Sequence, residues 1–197
     1  MAVDLSAVSP GFADPVRDAQ SVFRGVLDAM ARPGTLITID HAGNLGGYGA
    51  AGAVALTLLD FETSVWLGDA VNAGFANWLR FHCNCPFATG AHAANFAFLP
   101  AAGLPDLCIF NAGTEKYPDT AATLVITVPA LSGGMAVALE GPGIVGKAMI
   151  APQGLSADFW AQAIDNRDRF QLGVDVIFTA GDTLIALPRS TRIIQKG

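Results

Sequence analysis

The sequence predicts an α/β fold in which helices pack on a mixed sheet in one domain, residues 1–197. Three observations carry this expectation. Helical and strand-like segments alternate over the first half of the chain. The second half turns to strand-like runs separated by Gly-containing turns. The last two runs, 170–178 and 184–187, are apolar and β-branched and flank Thr179-Ala180-Gly181-Asp182-Thr183, a loop of hairpin length. Pro188-Arg189 marks the point where that ladder should stop.

Each element has a local reason. Asp14 caps a first helix with Pro15 at its first position. Val16, Ala19, Val22, Phe23, Val26, Leu27 and Met30 then form one apolar stripe, which Pro33-Gly34 ends. Residues 35–39 are short and strand-like. The Gly/Ala-rich segment 46–59 reads as a second helix, weakened by its glycines. Residues 64–67 read as a strand. Asn72 caps a third helix whose face carries Phe75, Trp78, Leu79 and His82, with Pro86 closing it. Residues 95–99 form another strand. Residues 124–128 and 135–139 read as strands joined through Leu131-Ser132-Gly133-Gly134, and Gly141-Pro142-Gly143 breaks the second. Ser156 caps a last helix, with Leu155 and Trp160 placed as a hydrophobic staple.

A chain of 197 residues can bury a substantial core without metal or disulfide staples. Charged residues are only 14% of it, against about 25% in ordinary soluble domains. So little polar surface implies either a large core or an apolar exterior covered by a partner; the composition favours the partner and predicts self-association. The net charge of −6, with scattered Lys and Arg, argues against nucleic acid. Residues 1–5 lack a signal-peptide pattern, and no apolar run approaches a membrane span. Three cysteines do not make a secreted disulfide framework. The expected location is the cytoplasm.

No motif assigns catalysis. His82-Cys83-Asn84-Cys85, with His92 or Cys108 as a fourth group, resembles a zinc site only loosely, because Cys-x-Cys lacks a second pair; no metal is expected. The Gly-rich turns match neither a P-loop nor a dinucleotide fingerprint. Ser132 lacks a nucleophile elbow, and nothing pairs it with His41, His82 or His92. Of Lys116, Lys147 and Lys196, only Lys147 follows an apolar stretch, and its expected role is a solvated turn, so no Schiff-base cofactor is expected. Asp60, Arg80 and Asp175 stand in apolar settings, where ion pairs or solvent-facing positions are the first account. Arg80 and His82, near a helix end, are the candidate ligand-binding residues for an anion.

Several stretches, in order along nearly the whole chain, carry a resemblance. They are Asp18-Ala19-Gln20-Ser21-Val22-Phe23-Arg24, Met30-Ala31-Arg32-Pro33-Gly34, Ser64-Val65-Trp66-Leu67 and Leu79-Arg80-Phe81-His82. Thr123-Leu124, Leu131-Ser132-Gly133-Gly134, Leu139-Glu140-Gly141-Pro142-Gly143-Ile144 and the closing hairpin through Arg189 and Thr191 follow. Together they resemble the H subunit of the carbon–phosphorus lyase core complex, the PhnH type. Cys83 and Cys85 lie outside that pattern.

The resemblance implies a fold like the pyridoxal-phosphate-dependent transferases without the cofactor. It also implies membership of a complex with subunits of the G, I and J types, and a homodimer when the chain is made alone. With an ATP-binding L subunit, the G, H and I subunits support transfer of a ribosyl triphosphate group from ATP to an alkylphosphonate, with release of adenine. The J subunit later cleaves the carbon–phosphorus bond, using an iron–sulfur cluster and S-adenosylmethionine. No catalytic residue carries over to this chain, which the resemblance makes a subunit inert alone. The alternative is a free-standing small-molecule transferase.

Overall fold

The computed structural model describes residues 8–40, 45 and 47–195. In chain order its elements are α1 (Pro15–Ala31), β1 (Ile37–Thr38), α2 (Gly49–Leu58), β2 (Val65–Leu67), α3 (Ala73–Cys83), β3 (Phe96–Pro100) and β4 (Thr123–Thr127). Then come β5 (Val137–Glu140), β6 (Ala148–Ile150), α4 (Ala157–Asp168), β7 (Asp175–Ala180), β8 (Thr183–Leu187) and β9 (Arg192–Gln195). The expected mixed α/β architecture is present.

Six strands form a mixed sheet in the order β1-β8-β7-β4-β3-β2. β2, β3, β4 and β7 run parallel, in register from Val65↔Phe96 through Phe96↔Thr123 to Thr123↔Asp175. β8 returns antiparallel to β7, and β1 lies antiparallel to β8. Helices cover both faces, so the strands read as continuous apolar runs. Alternation then divides their side chains. Phe98, Val125, Ile177 and Ala186 join the core beneath α1, α2 and α3. Leu99, Leu124, Phe178 and Ile185 join a second core with Phe159 and Trp160 of α4.

The helix starts follow the sequence. Asp14 Oδ1 accepts from the Arg17 N–H at 3.2 Å, Asn72 Oδ1 from the Gly74 N–H at 2.7 Å, and Ser156 Oγ from the Phe159 N–H at 3.1 Å. α3 ends earlier than its Pro86 suggested, because Asn84 takes the left-handed conformation (φ 50°) that stops a helix. The α1 stripe is split: Val22, Val26 and Ala29 are buried, whereas Val16, Phe23 and Leu27 are 68%, 50% and 55% exposed.

The expected hairpin between residues 124–128 and 135–139 does not form. Both edges of β4 are occupied by the parallel strands β3 and β7, so the next strand must pair elsewhere. β5 instead centres a second, antiparallel sheet in the order β6-β5-β9. The Gly133-Gly134 turn packs against residues 151–153: the Gly134 N–H donates to the Ala151 carbonyl, and a Cβ at Gly134 would sit 2.1 Å from the Pro152 oxygen. β6 and β9, three and four residues long, were not anticipated. The chain does leave the ladder after Leu187, then enters this second sheet as β9.

α2 is buried on almost every side, with Ala50, Ala51, Gly52, Ala53, Val54 and Ala55 inside. Its first turn abuts the β7–β8 loop, where the Ala50 N–H donates to the Gly181 carbonyl at 2.7 Å. Gly49 has φ +53°, and a Cβ there would lie 2.0 Å from the Gly181 oxygen. Gly49→Ala therefore combines a strained dihedral with a backbone collision and should cost about 2–4 kcal/mol. Gly47→Ala, at φ +86° but facing open space, should cost about 1 kcal/mol. Urea denaturation compares them, and equal losses would show that close approach to Gly181 is unimportant.

Asp175 supplies the other fixed point. Its carboxylate accepts from the Arg189 backbone N–H at 2.8 Å and from Nε at 3.1–3.2 Å, and pairs with Nη2. Arg189 Nη1 donates to the Pro118 carbonyl at 2.8 Å. The two side chains are only 15% and 14% exposed. Of the two readings, ion pair or solvent-facing position, Asp175 takes the ion pair, which ties the start of β7 to the end of β8 and to the 118–120 turn. Arg189→Met strands the carboxylate and should cost about 3 kcal/mol, whereas adding Asp175→Asn should recover at least half of that loss. Thermal melts of the single and double variants test the coupling; additive losses would refute it.

Candidate functional site

β2, β3 and β4 run parallel and so end at one edge of the sheet, where open α/β folds place their ligands. The starts of α2 and α3 meet the same edge. Between them lies a cleft of about 210 Å³ whose lining includes Tyr48, Ala51, Asn72, Phe75, Phe98 and Thr127. Tyr48 immediately precedes α2, Asn72 caps α3, and Thr127 ends β4. Each is placed by an element terminus, which fixes its backbone while leaving the side chain at the rim.

One wall is aromatic. The Tyr48 ring lies 4.7 Å from Phe75 and 5.2 Å from Trp78, and Phe75 meets Phe98 edge-on at 5.4 Å. A Cβ at Gly74 would sit 3.1 Å from Asn72 Oδ1 and 3.2 Å from Tyr48 Oη, so that glycine lets both groups crowd the first turn of α3. Thr127 Oγ1 lies 3.3 Å from Thr179 Oγ1, joining the ends of β4 and β7. Among the described residues no carboxylate, imidazole, thiol, amine or guanidinium lines the cleft. Its chemistry is stacking and neutral hydrogen bonding. Sequence reasoning placed Asn72 as a helix cap and singled out neither Tyr48 nor Thr127. The available signal was Gly47-Tyr48-Gly49, an aromatic between turn glycines ahead of an all-apolar helix.

Arg80 and His82 are not brought together. Arg80 is exposed, accepted by Asn77 Oδ1 at 3.2 Å and stacked over Phe87 at 4.3 Å. His82 is half-buried, with Nε2 3.0 Å from the Ser9 carbonyl and its ring 4.8 Å from Trp78. The Trp78 Nε1–H also donates to Ser9 at 3.0 Å. These two side chains hold residues 8–12 against α3, and Gly11 packs on the imidazole.

Cys83 and Cys85 are buried and Cys108 is exposed. Burial, with Cys85 nearby, pushes the Cys83 thiol up to about 12. Burial also raises Cys85, opposed in part by the charge of Arg80. Among the described residues no three His, Cys, Asp or Glu side chains converge as metal ligands would. Asp60 is exposed, its carboxyl held below the usual range by the Thr63 hydroxyl and the Glu62 N–H. Lys147 pairs with Glu140 at 3.1 Å, and Lys116 lies over Tyr117. His41 and Lys196 lie outside the described residues.

A larger hollow of about 500 Å³ lies beside α4 and is lined by Asp106, Asp158, Asp165 and Arg169. Its polar groups mainly serve the fold. Gln162 donates to Asp106 and Asp158 and accepts from the Leu107 N–H, while Asn166 clamps both backbone groups of Val174. The cleft at the strand ends is therefore the candidate site.

Comparison with known proteins agrees over nearly the full chain. Residues 10–194 match the family model described as "Bacterial phosphonate metabolism protein (PhnH)". The chain is 40% identical over 202 residues to the alpha-D-ribose 1-methylphosphonate 5-triphosphate synthase subunit PhnH of Rhizobium meliloti (strain 1021), covering 98% of each protein. It is 29% identical over 179 residues to the putative C-P lyase subunit protein HtxG of Stutzerimonas stutzeri, covering 90% of this chain and 87% of that protein. With α1, the β4–β5 turn and the closing hairpin all inside the matched span, the chain belongs to the PhnH family of bacterial phosphonate metabolism proteins.

Proposed function

We propose that this chain is a subunit of the assembly that makes α-D-ribose 1-methylphosphonate 5-triphosphate from ATP and methylphosphonate, and that it turns over nothing alone. The observation that carries this is the end-to-end 40% identity to a relative named as a subunit of that synthase. That no carboxylate, imidazole, thiol, amine or guanidinium lines the cleft among the described residues supports a role inside a complex rather than an independent catalyst. Among the described residues no helix is long and apolar enough to cross a membrane; we assign the chain to the cytoplasm. We read it as one domain, the six-stranded sheet being the wall shared by both cores. We also assign its fold to the kind found in pyridoxal-phosphate-dependent transferases, used without the cofactor; Lys116 and Lys147 are absent from the cleft lining.

The proposed partners are core subunits of the G, I and J types and, for the isolated chain, a second copy. The contact we assign to the second copy is the outer face of α1. Val16, Phe23 and Leu27 lie along it, beside a shallow hollow lined by Gln20, Arg24 and Thr57. The helix carries Asp14 with Arg17 at one end and Asp28 with Arg32 at the other, all exposed. An antiparallel copy puts Val16 against Leu27 and Phe23 near its own copy. One patch then suffices for a two-fold contact.

Co-expression with subunits of the G, I and J types should retain this chain through affinity purification of the I subunit. Synthase turnover should need this chain together with the G and I types and the ATP-binding L subunit. A purified chain that transfers the ribosyl group unaided would overturn the subunit reading. Separately, sedimentation at micromolar concentration should give twice the chain mass, and Phe23→Asp should shift it to the monomer with its far-ultraviolet circular dichroism unchanged. A dimer indifferent to Phe23→Asp places the contact elsewhere, while a monomeric parent chain removes the self-association.

A further inference from the structure

We propose that the cleft at the carboxyl ends of β2, β3 and β4 binds an uncharged, flat nitrogen-heteroaromatic ring. This assignment does not depend on the subunit reading, since it rests on the cleft alone. Its volume of about 210 Å³ falls below the 300–1,000 Å³ of sites that enclose whole drug-sized ligands, so the fit is to one ring system. Tyr48, half-buried and backed by the buried rings of Phe75 and Phe98, offers the aromatic surface for stacking. Among the described residues the lining has no cation to neutralise a phosphate or carboxylate and no anion to receive an ammonium group.

The rim selects among neutral ligands. Tyr48 Oη and Asn72 Nδ2 have no hydrogen-bond partner among the described residues, and Asn72 already uses Oδ1 to cap α3. Thr127 Oγ1 adds a third neutral group, bonded among the described residues to Thr179 Oγ1. A ring with nitrogen or carbonyl edges satisfies such groups when it displaces water. An aliphatic ligand leaves them unpaired, which is the larger penalty. Small residues keep the slot clear: Gly47 faces open space, and Ala51 and Ala70 present only methyl groups.

The test uses the full chain with benzimidazole and purine as heteroaromatic probes, cyclohexanol as the aliphatic probe and inorganic phosphate as the anion. Saturation-transfer NMR reads the ligand, and tryptophan fluorescence reads the site, because Trp78 lies 5.2 Å from Tyr48. Both heteroaromatic probes should bind saturably at millimolar concentration, with no response to phosphate or cyclohexanol. Ala70→Phe changes an exposed turn residue to one that fills the slot, and should abolish binding at an unchanged melting temperature. Tyr48→Leu should weaken binding about fivefold or more. Absence of saturable binding, equal binding in Ala70→Phe, or cyclohexanol binding as well as benzimidazole would each overturn the proposal.

Discussion

The structure depends on how closely α2 can approach its surroundings. A helix buried on all sides needs neighbours on all sides, and they come near only if its side chains are small. Ala50 through Ala55 meet that condition, and Gly52 is tighter still: a Cβ there would lie 2.9 Å from Tyr48 Cβ and 3.4 Å from Trp78. α1 and α3 pack on it from the solvent side, with Val125, Ile177, Leu184 and Ala186 of the sheet in the same core. The contact of Gly49 with Gly181 sets its position along its axis. Because that contact is backbone to backbone, no side-chain adjustment can relax it.

The candidate site follows from the same constraint. Holding the start of α2 at the β7–β8 turn places Tyr48 over the start of α3 and beside the ends of β3 and β4. The cleft is therefore bounded by parts that cannot move independently: two helix starts, two strand ends and the turn that follows β2. At the opposite end of β7, Asp175 and Arg189 perform a similar service without small residues, using a paired charge that also gathers the 118–120 turn. Such a pair adds little stability relative to apolar packing, but it penalises any register in which either partner lacks the other.

What could be read from the sequence was what local chemistry decides. The caps at Asp14, Asn72 and Ser156 mark three helix starts, because a side-chain oxygen reaching its own helix's N–H needs only nearby residues. The β7–β8 hairpin was legible for the same reason, with Gly181 at φ +57° in a two-residue turn. Strand partnership was not legible. Residues 131–134 look like a hairpin turn, yet β4 is claimed by strands 27 residues before it and 52 after it in register, and nothing in its own sequence encodes that. β6 and β9 are short, and their pairing with β5 depends on a sheet that exists only once the chain has folded. The cleft was hidden likewise: Tyr48, Asn72 and Thr127 are spread over 80 residues, and no single motif joins them.

α1 shows how the low charge of the chain is accommodated. Its apolar stripe is wider than one interface requires, and the fold uses the edge of Val22, Val26, Ala29 and Met30. In an isolated globular domain the remaining positions would ordinarily be polar, since nothing in packing demands Val16, Phe23 or Leu27. Phe61 and Phe81 are further exposed aromatics in the segments that follow α2 and form α3. Scattered apolar residues on a surface are unremarkable, but three in helical register on one straight element form a ridge, and a ridge packs into a complementary groove. The amino-acid composition therefore divides into two kinds of burial. The small residues of α2 close the molecule on itself, and the large ones of α1 form an exposed apolar ridge, the face proposed above for a second copy.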